Sequence, residues 1–129
     1  MWRFSVLALL ASPAAAQELR EMPDYFAEAL VSVSAAQAIA QSCPTITVNP
    51  VNAVKASEEL LTRLAEDGFD PNDPSSGMLP GDQKIAKLQS GFLEQHGLSE
   101  GAGSSAACAA GKFEIGQNSE IGNLLLDAE

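Results

Sequence analysis

Pro23-Asp24-Tyr25-Phe26-Ala27-Glu28-Ala29-Leu30-Val31-Ser32-Val33-Ser34-Ala35-Ala36-Gln37-Ala38-Ile39-Ala40-Gln41-Ser42-Cys43-Pro44 is the stretch whose reading decides the fold. Phe26, Leu30, Val33, Ala36, Ala40 and Cys43 recur at steps of three and four, which draws one apolar stripe along a helix. Alanines fill much of the rest, and Pro44 ends the segment because a residue before proline is pushed out of the helical region. Cys43 is therefore expected at the end of a first helix, on or near its buried face. The chain has one other cysteine, Cys108. In an oxidising compartment, two lone cysteines are most simply read as one bridge. Closing so long a loop removes denatured-state entropy worth about 4 kcal/mol in the chain-entropy account, a large share of a small domain's net stability.

The compartment is read at the other end. Arg3 is a lone positive charge, Phe4 to Ala11 is apolar, and Ala14-Ala15-Ala16 satisfies the small-residue cleavage rule before Gln17-Glu18. That pattern is a signal peptide over residues 1–16, cleaved near Ala16, and it predicts a periplasmic or secreted product. The apolar run is shorter than the roughly 18 residues a membrane anchor needs. No later segment is long and apolar enough to span a bilayer. Residues 17–129 then form a single domain. A formal charge of -10 at pH 7 argues against sequence-independent binding of nucleic acid or anionic lipid, both of which require clustered Lys and Arg. Such a surface favours a basic partner.

Four helices are expected in all. Thr45 to Val48 alternates, but four residues with no second alternating run have nothing to pair with, so they read as an extended connector. Asn49-Pro50 is a helix start, Asn as the cap and Pro in the first turn. The second helix runs to about Asp67, burying Ala53, Leu60, Leu61 and Leu64 and turning Glu58 and Glu59 to solvent. Gly68 can take the left-handed turn that stops it, and Phe69 can fold back on Leu64. Asp70 to Gly81 is a loop rich in Pro, Gly, Ser, Asn and Asp. Asp82 caps a third helix in which Ile85, Leu88 and Phe92 share a face. Gly97 ends that helix, and Gly91 weakens it by about 1 kcal/mol unless another backbone packs against it. Gly101 to Ser105 is a flexible linker whose serines cap a fourth helix. There Cys108, Gly111 and Ile115 share one face, Phe113 lies on another, and Asn118 terminates. Ser119 to Glu129 ends in Ile121, Leu124, Leu125 and Leu126, either as a fifth short helix on the core or as an apolar tail for a partner. The fold class is all-α, a small four-helix domain with a short C-terminal helix and one disulfide.

Cys108-Ala109-Ala110-Gly111-Lys112-Phe113-Glu114-Ile115, followed by Ser119-Glu120-Ile121-Gly122-Asn123-Leu124-Leu125, resembles the C-terminal signature of a family of small exported alphaproteobacterial proteins classed only as a domain of unknown function. The likeness extends upstream through the helix ending at Cys43, the Leu64 to Gly68-Phe69 closure and the helix ending near Gly97. The resemblance brings no established activity with it. It implies at most an accessory or assembly role, with an envelope or respiratory complex as the setting. Each signature residue also has a structural explanation: Cys108 in the bridge, Gly111 for close helix contact, Ser119 as a cap, Gly122 for a turn before the packing leucines.

Catalytic inventory is thin. His96 is the only histidine and is expected at the exposed C-terminal end of the third helix, where a positive charge is favourable. Metal and haem sites need several such ligands or a C-x-x-C-H string, so no metal and no cofactor are expected. No G-x-S-x-G string supplies a nucleophile. Asp67, Asp70, Asn72 and Asp73 bunch together, but an EF-hand begun at Asp70 would put Pro74 and Ser75 where an oxygen ligand and glycine belong. No acid pair is placed across a cleft at glycosidase distance. The chain therefore reads as a non-enzymatic accessory or interaction protein, with Leu124, Leu125, Leu126, Glu58 and Glu66 as candidate partner contacts. A binder of a small or cationic ligand, using the space between helices and an acidic rim, is the alternative. A periplasmic inhibitor of a basic enzyme is the third.

Overall fold

The computed structural model describes residues 18–98 and 103–128. The signal peptide expected over 1–16 and the linker residues Gly101 and Ala102 lie outside them. The elements in chain order are α1 (Asp24–Ser42), β1 (Ile46–Val48), α2 (Pro50–Glu66), a short 3-10 turn (Pro74–Gly77), α3 (Asp82–Gln95), α4 (Ser104–Gly116), α5 (Glu120–Asn123) and β2 (Leu125–Asp127). The fold is the expected helical one, with the Cys43–Cys108 disulfide made across Cα atoms 5.0 Å apart.

α1 is the axle, but the face it buries is not the expected stripe. Ala27, Val31, Ala35, Ala36 and Ile39 are buried, whereas Leu30 and Val33 are 39% and 45% exposed. Small side chains let neighbouring backbones approach closely, and α4 uses this. A Cβ added at Gly111 would lie 2.9 Å from Ile39 Cγ2 and 2.5 Å from Ile46 Cδ1, so only glycine fits.

Thr45 to Val48 required a larger correction. β1 pairs antiparallel with β2, Ile46 opposite Asp127 and Val48 opposite Leu125. The ribbon is extended by Asn49 N–H to Leu124 O (2.7 Å) and Ala128 N–H to Thr45 O (2.8 Å). The partner was hidden because Leu124-Leu125-Leu126 does not alternate and lies at the far end of the chain. This pairing also decides between the two expectations for the C-terminus: after the single turn of α5, Leu124 and Leu125 are core residues, each 4% exposed.

Two apolar clusters flank α1. One surrounds the disulfide and joins Ala36, Ile39, Cys43 and Ile46 to Ala107, Ala110, Leu124 and Leu125. The other joins Met22 and Ala27 to Leu64, Phe69 and Met78. Three helices stop the same way. At α2, Gly68 takes φ +88° and Phe69 N–H donates back to Leu64 O (2.9 Å). At α3, Gly97 takes φ +60° and Leu98 N–H reaches Leu93 O (2.8 Å). At α4, Asn118 takes φ +50° and Ser119 N–H reaches Glu114 O (3.3 Å). Each is the left-handed closure that satisfies the last carbonyls of a helix.

The helix starts differ more from expectation than the stops do. Asn49 caps α2 through its side chain on Asn52 N–H (3.2 Å). Asp82 and the serines do not cap: Gly81 and Gly103 occupy the cap positions of α3 and α4, and Asp82 and Ser104 are the first helical residues. Along α2 only Leu64 is buried, and Leu61 is exposed. The loop after Phe69 is tied to the chain start, since Arg20 pairs with Met78 as an isolated parallel bridge, Arg20 N–H on Gly77 O (3.0 Å) and Leu79 N–H on Arg20 O (2.7 Å). The Arg20 guanidinium stacks 3.8 Å over Phe69 and donates to Asp67 O (2.6 Å).

Candidate functional site

α2 is held by polar contacts at its two ends, and between them Ala53, Ala56 and Leu60 pack on the edges of the two clusters. At its start, Asn52 Nδ2 donates to Asn123 O (2.8 Å). At its end, Tyr25 of α1 donates its hydroxyl to Asp67 Oδ2 (2.6 Å), and the Arg63 guanidinium lies 3.9 Å over the Tyr25 ring. Burial, then the Asp67 hydrogen bond, pushes the Tyr25 phenol up to about 12. Between these anchors lies a half-open groove of about 1040 Å³.

Ala29, Leu30 and Val33 of α1 form one apolar wall of the groove, and Ala53, Ala56 and Leu60 of α2 form the other. Ile85 and Gln89 of α3 close one end, and Glu120, Asn123 and Leu124 the opposite one. Polar and charged groups edge it: Lys55, Glu59 and Arg63 follow one another at spacings of four along α2, and Glu120 stands at the α5 end. Burial raises the Glu120 carboxyl above its ordinary value, the nearby Glu28 charge adds to this, and a hydrogen bond with Ser32 opposes it. With two acidic and two basic side chains the lining is balanced, so it lacks the acidic rim expected of a cation binder.

Of the residues singled out as partner contacts, Leu124 alone lines this groove. Leu125 is packed in the core, Leu126 is exposed on the ribbon, and Glu58 and Glu66 are exposed on α2 outside the groove. Leu30 and Val33 were assigned to the core and are instead its wall. A signal was present: α1 carries a second apolar stripe, Ala27, Val31, Ala35 and Ile39, whose alanines suit close packing.

The signature residues gather elsewhere, around the end of α4. Gly122 lies against this turn, where any Cβ would collide with the Glu114 carbonyl, and its role is close approach rather than a left-handed turn. Ser119 accepts from Gly122 N–H (3.0 Å) and donates to Glu114 O (3.2 Å). Ile121 packs on the disulfide-side cluster. The Glu114 side chain meets His96 at the end of α3, Oε1 to Nε2 2.7 Å, with both side chains more than nine-tenths covered. Phe92 (4.8 Å) and Phe113 (5.4 Å) bracket the imidazole. The expectation of an exposed His96 is thus corrected. Phe92 one turn before it and Phe113 beside Glu114 were the clues. The pair bridges two helices, so it reads as a structural tie.

Among the described residues no group of three or more His, Cys, Asp or Glu side chains could hold a metal ion. Asp70 instead accepts from Asn72 N–H (2.9 Å) within its own turn. No described helix is long and apolar enough to cross a membrane.

A disulfide-clamped helical domain with a groove beside its axial helix is the class this geometry defines. The chain belongs to DUF5333, a family of unknown function that matches residues 17–126. No curated protein and no solved structure matches it.

Proposed function

We propose that this protein is an exported, non-catalytic accessory protein that works by holding a partner protein in the groove between α1 and α2. The observation that carries the reading is the placement of Leu30 and Val33, large apolar side chains left at 39% and 45% exposure on the helix that organises the core. Contiguous exposed apolar surface rimmed by polar groups marks an interaction site. Export is supported by the N-terminal charge, apolar run and Ala14-Ala15-Ala16 pattern together with the disulfide, which belongs to oxidising compartments. The resemblance to small exported proteins of alphaproteobacteria supports an envelope setting, a respiratory complex included.

The test is site-specific photocrosslinking in envelope vesicles, with the crosslinking residue at Val33 in the groove or at Lys87 on the exposed side of α3. A discrete adduct from position 33, absent from position 87 and lost when Leu30→Glu is added, is the expected result. Equal adducts from both positions, or none from either, would overturn it.

A further inference from the structure

The groove is edged unevenly. Its α1 wall contributes Ala29, Leu30, Val33 and Ser34 and no charge, whereas the α2 edge presents Lys55, Glu59 and Arg63. Residues four apart on a helix lie one above the other, so the three form a single base–acid–base stripe about 12 Å long. None of them forms an ion pair among the described residues. Elsewhere the chain is strongly acidic, -10 overall. An edge whose middle charge opposes its neighbours does not attract a polycation or a polyanion; it recognises a pattern.

The geometry points to an amphipathic α-helix of a partner protein as the occupant, its apolar face on Leu30, Val33 and Leu60 and its edge carrying acid, base and acid at i, i+4 and i+8. This deepens the docking reading above and rests on it. Two helical walls with an apolar floor are what helix-in-groove recognition uses, and a helix is the backbone that repeats a charge every four residues along one edge. The apolar floor supplies attachment. The stripe supplies register, because opposed charges steer and like charges exclude. Sliding the guest by one turn sets like charges opposite one another, so the stripe selects one position out of several that the floor alone accepts.

The experiment uses two fluorescent amphipathic peptides of about five helical turns, with the same Leu/Ala face and either Glu–Lys–Glu or Lys–Glu–Lys at the edge positions. Binding to the mature chain is measured by anisotropy. The Glu–Lys–Glu peptide is expected to bind about tenfold more tightly than its reverse at low salt, three surface pairs each contributing modestly. The preference shrinks as added salt screens the charges. In the double variant Lys55→Glu, Glu59→Lys, which leaves Arg63 stacked on Tyr25, the preference reverses with smaller size, and Leu30→Glu abolishes binding of both peptides. Equal affinity for the two peptides, with Leu30→Glu still abolishing binding, overturns the charge register and leaves groove docking standing. Binding indifferent to Leu30→Glu sinks both. No binding of either peptide at about 1 mM overturns the helical occupant, while the Val33 crosslink decides the docking reading independently.

Discussion

α1 meets α4 and α2 in opposite ways. Toward α4 it offers alanines and Ile39, α4 answers with Ala107, Ala110 and Gly111, and a disulfide closes the contact at its end. Toward α2 it offers Leu30 and Val33, and these stay open. Hydrophobic burial scales with apolar area, so apolarity alone would assign both to the core. Close approach decides otherwise: small residues bring helices together so that backbone and side chains pack at interior density, and a covalent clamp holds the contact. What remains on the other face is apolar surface that folding does not use.

Breaking the closed side has the largest effect. Replacing both cysteines with alanine should lower the unfolding free energy by about 4 kcal/mol, read as a shift in the urea midpoint, and reductant should do the same to the unmodified chain but nothing further to the variant. A retained midpoint would mean that packing alone closes α1 on α4. Next is the polar tie. His96→Ala leaves a buried Glu114 carboxylate without its partner, and removing one member of a buried pair costs about 3 kcal/mol or more. The same variant should leave groove binding intact once folding is restored by low temperature.

The open side should respond weakly and at its anchor. Tyr25 is the one tyrosine, so its absorbance titration is unambiguous. The midpoint is expected at about 12 rather than near 10.0. Because the folded value lies above the unfolded one, its contribution to stability is present in full below the unfolded value and disappears as pH rises through the folded one. Asp67→Asn should return only part of the shift, since burial is its larger cause. A midpoint near the ordinary value would mean that the end of α2 is not anchored on α1.

The sequence was most legible where a residue type has few conformational uses. Gly68, Gly97 and Asn118 are read as helix stops, and all three close their helices in the left-handed conformation. Asn49 before Pro50 was likewise read as a cap, and it is one. The disulfide was legible because the chain has only two cysteines. Relations between distant segments were not legible. Ile46–Val48 and Leu125–Asp127 each hold three residues, too few for alternation to announce a strand. His96 and Glu114 sit on different helices, and neither residue's neighbours name the other. The groove was hardest to see, because period counting marks apolar residues, and Leu30 and Val33 are as apolar as the buried Ile39 and Val31. Leu30 and Val33 therefore stood on the expected core stripe.

The most direct measurement compares urea unfolding of two variants of α1, one on each face. Truncating the open wall in the double variant Leu30→Ala, Val33→Ala should change stability by about 1 kcal/mol or less, while Ala36→Leu, which forces a larger side chain into the cluster that Ala36 shares with Ala107 and Ala110, should lose about 1–3 kcal/mol. A double variant that loses several kcal/mol, as core truncations do, with Ala36→Leu tolerated, would contradict the account: Leu30 and Val33 would then be packed side chains, and no groove would lie between α1 and α2.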